Sequence, residues 1–101
     1  MKLIVMLFIA SMLSGNALAQ VKEFIEPRTN GLRMDRCLNW GKQCNQTAAN
    51  EWCLQNGFNE AIHWKIDHNI AKQQPTRMLN SQKICASKSC DGFKVIVCYE
   101  S

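Results

Sequence analysis

A small α+β domain stapled by disulfides is the fold class this sequence predicts, with one short helix packed on a three- to four-stranded antiparallel sheet. Three observations predict it. Six cysteines, Cys37, Cys44, Cys53, Cys85, Cys90 and Cys98, all follow an apolar leader, and an even set in a short exported chain reads as three bridges. Ala48, Ala49, Trp52 and Cys53 recur at helical spacing. Ile62, Trp64 and Ile66 alternate with His63, Lys65 and Asp67, and later Phe93, Val95 and Val97 face one way with Lys94, Ile96 and Cys98 the other, at the period of a strand.

The leader comes first. Lys2 precedes an almost unbroken apolar run from Leu3 to Leu13, then Ser14, Gly15 and Asn16 break it, and Ala17-Leu18-Ala19 supplies small residues at the cleavage positions. A spanning helix needs about 20 apolar residues, and this run is near half of that. Residues 1–19 are therefore expected to be a cleaved signal peptide, and the mature chain to be secreted or periplasmic. No second long apolar run follows, so no membrane span is expected after cleavage. The formal net charge of +4 falls to +3 without Lys2, and the basic residues are scattered. Nucleic-acid binding wants a basic stripe and is not expected.

Residues 20–31 read as a flexible N-terminal arm, kept polar by Glu23, Glu26, Arg28 and Thr29 and interrupted by Pro27. Asn30-Gly31 is a turn signal. The stapled domain is expected over residues 32–101. A domain of this size buries only about 60–65% of the surface its unfolded chain exposes. Three bridges at roughly 2–4 kcal/mol each then rival the stability of an ordinary domain.

Within the domain, Thr47 suits a helix N-cap and Asn56-Gly57 a helix stop, which places the helix at about residues 48–55. Residues 62–66 form a half-buried strand, and residues 68–75 a polar loop. Residues 76–79 and 82–85 supply two short strands or one broken at Asn80-Ser81. Asp91-Gly92 is a turn signal before a final strand from Phe93 to Cys98. Six cysteines allow 15 pairings. Cys53, on the buried face of the helix, is placed to cross to the sheet with Cys85 or Cys98 as partner. Cys85 and Cys90 are alternatively spaced to close a small local loop. A zinc site needs two close thiolate pairs, and only Cys85 and Cys90 approach that spacing. No metal and no cofactor is expected.

The run Cys37-Leu38-Asn39-Trp40-Gly41-Lys42-Gln43-Cys44, with Ala48-Ala49, Trp52-Cys53, Gly57-Phe58, Ala61, Pro75-Thr76-Arg77 and Cys90-Asp91-Gly92-Phe93, resembles a group of small secreted cysteine-rich proteins of bacteria and plants. The resemblance spans roughly residues 33–98. It implies export and one disulfide-held unit, and brings no activity with it. A shorter likeness, to scavenger-receptor cysteine-rich domains, rests on Trp40-Gly41 and on a helix ending in Cys53 with Gly57 after it. The spacing from Cys44 to Cys53 departs from that domain's pattern.

Candidate chemistry is sparse. His63 and His68 are the two histidines, and five positions across a strand and a loop do not bring their rings together. No serine sits in a glycine elbow, and the cysteines are committed to bridges. Trp52, Trp64 and Phe93 have the periodicity of core residues. Trp40 stands outside any periodic element, beside Gly41 between two cysteines, and is the aromatic expected at the surface. Arg77, after Pro75-Thr76, is either an anion clamp for a partner or half of an internal ion pair with Asp67 or Asp91. Asn45-Gln46-Thr47 matches the glycosylation sequon, although Thr47 also reads as a cap. The expected function is non-catalytic recognition of an extracellular glycan or cell-surface protein, with Trp40 and Arg77 as the binding candidates. Inhibition of a secreted enzyme through Lys72, Lys83 or Lys88 is the alternative, followed by a small histidine-dependent hydrolase.

Overall fold

A computed structural model describes residues 19–101. Apart from Ala19, the predicted signal peptide lies outside them. Within the described residues no helix is long and apolar enough to cross a membrane.

The segment read as a loose arm is instead an edge strand. β1 (Gln20–Ile25) pairs antiparallel with the last strand, β9 (Gly92–Glu100), from Gln20 opposite Glu100 to Ile25 opposite Val95. Phe24 supplies the reason. Its ring meets Trp52 edge-on at 5.4 Å and Phe58 at 6.1 Å between centroids, so a single aromatic anchors the strand through contacts far along the chain. Pro27 ends the pairing. Asn30 and Gly31 then take positive φ, 47° and 87°, in the turn between β2 (Arg28–Thr29) and β3 (Leu32–Met34).

Next comes a tight hairpin, β4 (Cys37–Asn39) and β5 (Lys42–Cys44), bridged at its base by Cys37–Cys44. It feeds directly into helix α1 (Gln46–Gln55). Thr47 is not the cap. The Asn45 carbonyl already accepts the Ala49 N–H at 2.9 Å, so the helix starts two residues earlier than predicted and Thr47 lies exposed within it. The predicted stop holds in detail. Gly57, at φ 88°, lets the Phe58 N–H reach the Cys53 carbonyl and its own N–H reach that of Leu54, the paired bonds that close a helix on a left-handed residue.

α1 packs its buried Ala48, Ala49 and Cys53 onto a three-stranded antiparallel sheet of order β1-β9-β6, with β6 spanning Glu60–Asp67. Two register shifts interrupt the β6–β9 pairing. One lies between Ala61 and His63, and it turns Ile62 outward, 53% exposed, against the expectation from simple alternation. The other lies between Lys65 and Ile66, across from Lys94. It lets Phe93, Ile96 and Cys98 share one core although they do not alternate cleanly. Met34, Leu38, Ala61 and Leu79 complete that core, with Trp52, Trp64, Phe58 and Ile66 packed against it.

A second sheet of order β2-β3-β7-β8 is built from β7 (Thr76–Arg77) and β8 (Ile84–Cys85), the two short strands predicted after the polar loop. β3 and β7 run parallel, the one exception to antiparallel strand pairing among the described residues. The loop before β7 contains a 3-10 turn, Ile70–Lys72, that buries Ile70. All six cysteines are paired, as Cys37–Cys44, Cys53–Cys98 and Cys85–Cys90. The helix-to-sheet bridge thus uses Cys98, and Cys85 closes its local loop.

Gly92 is not a turn residue here. It opens β9 where the two sheets meet, and a Cβ on it would sit 2.6 Å from Ile70 Cδ1 and 3.0 Å from the Met34 carbonyl oxygen. Gly92→Ala is expected to cost about 1–3 kcal/mol through overpacking, read as a lower urea midpoint. The bridges should rank by the chain they close. Loop-closure entropy assigns about 4 kcal/mol to Cys53–Cys98 and about 2 kcal/mol to each of the local bridges, their sequence separations being 45, 7 and 5. Replacing each pair by alanine and comparing thermal midpoints tests this. A larger loss from either local pair would contradict it.

Candidate functional site

The hairpin that precedes α1 presents Trp40 at its tip. Asn39 and Lys42 pair across a two-residue turn that Gly41 closes at φ 60°, which sets the indole at the hairpin tip. Trp40 is 54% exposed, as the sequence predicts. The Cys37–Cys44 bridge holds the base of the hairpin, so the ring is displayed from a short rigid support rather than a free loop.

Trp40 and Gly41 form one side of a cleft of about 250 Å³. The Cys85–Cys90 loop, with Ser87 and Ser89, also lines it, as do Asp35 and Met78. Ser87 and Ser89 stand with their hydroxyl oxygens 3.1 Å apart. Arg36 and Asp91 complete the lining as an ion pair, Nε to Oδ2 at 3.4 Å. Asp91 is fixed by further contacts: its Oδ1 accepts the Asn69 N–H at 2.8 Å, and its Oδ2 stands 3.3 Å from His68 Nδ1. Arg36 also donates to Asn45 Oδ1 at 3.3 Å. Asn45 of the sequon is thus half-buried and already engaged.

Asp35 is buried beneath this polar rim. Its Oδ1 accepts the Thr76 hydroxyl at 2.6 Å and its Oδ2 the Cys37 N–H at 2.9 Å. Burial pushes its carboxyl above the usual carboxylate range. The bonds from Thr76 and Cys37 and the nearby Arg36 guanidinium oppose that rise, while Asp91 adds to it. The cleft therefore combines an apolar ring face, two hydroxyls, a guanidinium and two carboxylates of unlike environment.

Arg77, the other predicted binding residue, is not part of this lining. It is half-buried, and its Nη1 donates to the Gln82 carbonyl at 2.9 Å, tying the turn between β7 and β8. The ion pair expected for it with Asp67 or Asp91 does not form, because other groups occupy both carboxylates. Asp67 pairs with the buried Arg33 at 3.1 Å, and Asp91 pairs with Arg36 and His68. Arg33 also donates to the Phe93 carbonyl at 2.8 Å, so it spans the junction of the two sheets.

The histidines are held apart. His63 faces outward from β6 and lines a separate hollow with Glu23, Ile25 and Lys65, whereas His68 is bound to Asp91. Among the described residues, no group of three His, Cys, Asp or Glu side chains is placed to hold a metal ion. Asp35, Arg36, Ser87 and Ser89 are site residues that sequence reasoning missed, the serines because a short local loop carries no motif. Asp35 and Arg36 belong to no motif, and they reach Asp91 through backbone pairing across the fold, with the Arg36 N–H donating to the Asp91 carbonyl at 3.0 Å and Asp35 bridging to Gly92.

Comparison with known protein families, characterised proteins and solved structures returned no match.

Asp35 makes a pH test available. Because its folded-state pKa is raised, the stability it contributes is present below the ordinary carboxylate range and is lost as pH rises through the folded value. The advantage of the native chain over Asp35→Asn should therefore be largest in acid and shrink from about pH 4 upward. Urea midpoints of both proteins across that range check it, and an advantage that grows with pH would overturn the assignment.

Proposed function

We propose that this chain is a secreted or periplasmic domain that binds an extracellular glycan in the Trp40 cleft without transforming it. The observation that carries this reading is the pairing of a half-exposed indole on a bridged hairpin with a fixed Arg36–Asp91 pair in the same cleft. A sugar ring offers one face of C–H groups and a rim of hydroxyls. Trp40 supplies a flat apolar surface for the first. Arg36, Asp91, Ser87 and Ser89 supply donors and acceptors for the second, the charged ones making the stronger bonds. A cleft of about 250 Å³ lies at or just below the small end of ligand sites, which suits one ring or a chain end rather than a long oligosaccharide. Export agrees with the three disulfides, which persist in oxidising compartments.

Enzyme inhibition is the second reading, and one observation favours it. Lys88 is exposed inside the short loop closed by Cys85–Cys90, a constrained basic residue of the kind a trypsin-like protease would engage.

A binding screen of the oxidised protein against glycans and cell-wall polysaccharides tests the proposal. Trp40→Ala should weaken a saturable ligand by about ten- to a hundredfold, the worth of burying a large apolar side chain. Its thermal midpoint should stay near that of the native protein, because an exposed ring contributes little to folding. A blank screen with folded protein, together with slow cleavage confined to Lys88 by a trypsin-like protease, would replace glycan recognition with inhibition.

A further inference from the structure

The three bridges differ in what holds their ends once the sulfur–sulfur bond is gone. Cys53 and Cys98 are fully buried in the core, out of reach of a thiol while the domain is folded. Cys37 and Cys44 face each other across the β4–β5 hairpin. Hydrogen bonds hold both ends of that hairpin: the Cys37 N–H donates to Asp35 Oδ2 at 2.9 Å, and the Asn45 N–H to the Arg36 carbonyl at 2.9 Å.

Cys85–Cys90 has no such support. It closes the shortest separation of the three, five positions, and residues 86–89 are all exposed and belong to no strand or helix. Their hydrogen bonds stay inside the loop. The two serine hydroxyls stand 3.1 Å apart, the Ser89 N–H donates to Ser87 Oγ at 3.4 Å, and the Cys90 N–H donates to the Ser87 carbonyl at 3.0 Å. Among the described residues, no hydrogen bond ties residues 86–89 to the rest of the domain. The bridge therefore sets where Ser87 and Ser89 stand in the lining of the Trp40 cleft.

We propose that Cys85–Cys90 is a thiol-exchange site, opened by a small-molecule thiol while the other two bridges stay closed, and that its opening releases the serine-bearing part of the Trp40 cleft. Cys85 is half-buried and Cys90 is 5% exposed, so the incoming thiolate attacks Cys85 Sγ. The sulfur–sulfur bond breaks, Cys90 leaves as a thiolate and takes up a proton, and the thiol remains in a mixed disulfide with Cys85. A second thiolate attacks the sulfur of the first, which releases their joint disulfide and the Cys85 thiolate, itself then protonated. Two electrons have passed from two thiols to the bridge.

Cys44 is also half-buried, but there the first step is reversed before a second thiol arrives. Strand pairing keeps Cys37 opposite it at high effective concentration. No strand pairing joins Cys85 to Cys90, so the opened loop carries the two sulfurs apart. As regulation of the cleft, this rests on the glycan-binding reading above; as a site of exchange, it does not.

Glutathione buffers of graded poise, followed by acid quenching, alkylation and peptide mass spectrometry of the native chain, test the proposal. Cys85 and Cys90 should be alkylated at a ratio of reduced to oxidised glutathione about tenfold lower than either other pair requires. Trypsin added at that poise should cut after Lys88 faster than in the oxidised protein, in step with the labelling, while the near-UV circular dichroism stays native. Cys85→Ser combined with Cys90→Ser should give the same fast cleavage with no thiol present. Earlier labelling of Cys37 and Cys44, loss of all three bridges together, or Lys88 cleavage indifferent to reduction would each overturn it. None of these readouts uses a glycan, so failure of exchange and failure of glycan recognition are separately visible.

Discussion

The Cys53–Cys98 bridge is the constraint on which the rest of the structure depends. It joins the buried face of the only α-helix among the described residues to β9, the central strand of its sheet, and both sulfurs are fully buried in the core. In a domain this small, apolar burial alone leaves a narrow margin for fixing the helix on the sheet, since a small domain hides less of its surface than a large one. The bridge widens it by removing freedom from the unfolded chain. Phe24 can then dock on Trp52 and Phe58, and its docking recruits β1 to the sheet edge.

A second junction joins the two sheets, and it is polar. Gly92 admits Ile70, Thr76 and the Met34 carbonyl where any side chain would collide. Beside it, Asp35 accepts from Thr76 and Cys37, and Arg33 holds both Asp67 and the Phe93 carbonyl. Buried polar groups are costly unless partnered. Here the partnering ties three segments distant in sequence, and the same contacts carry Asp35 and Arg36 to the lining of the Trp40 cleft. Scaffold and candidate site therefore share one set of interactions. Both local bridges border that cleft, one at the base of the Trp40 hairpin and one closing the Ser87–Ser89 loop.

Much of the fold was legible in the residues. The helix and its glycine stop, the strand after it, the last strand and the paired strands around Asn80-Ser81 follow from spacing and turn chemistry that act within a few residues. The arm was misread because its composition is polar and only Phe24 speaks for packing. One aromatic decides nothing until its partners, Trp52 and Phe58, are in place. Thr47 was misread as a cap because side-chain chemistry favours it, while the bridged hairpin delivers Asn45 to that position first. Ile62 left the core because a bulge breaks the alternation that local pattern assumes.

The sequence by itself determined an even cysteine set after an apolar leader, a domain small enough for bridges to carry much of its stability, the α+β class and a tryptophan with no periodic neighbours to bury it. Those properties are local or compositional, so they need no partner. Only the tertiary structure decided which cysteines pair, that Arg36 rather than Arg77 stands beside Trp40, and which carboxylate each arginine takes. Each of these depends on strand register and on close approach between segments tens of residues apart, and no spacing along the chain encodes which of several equivalent charges arrives first.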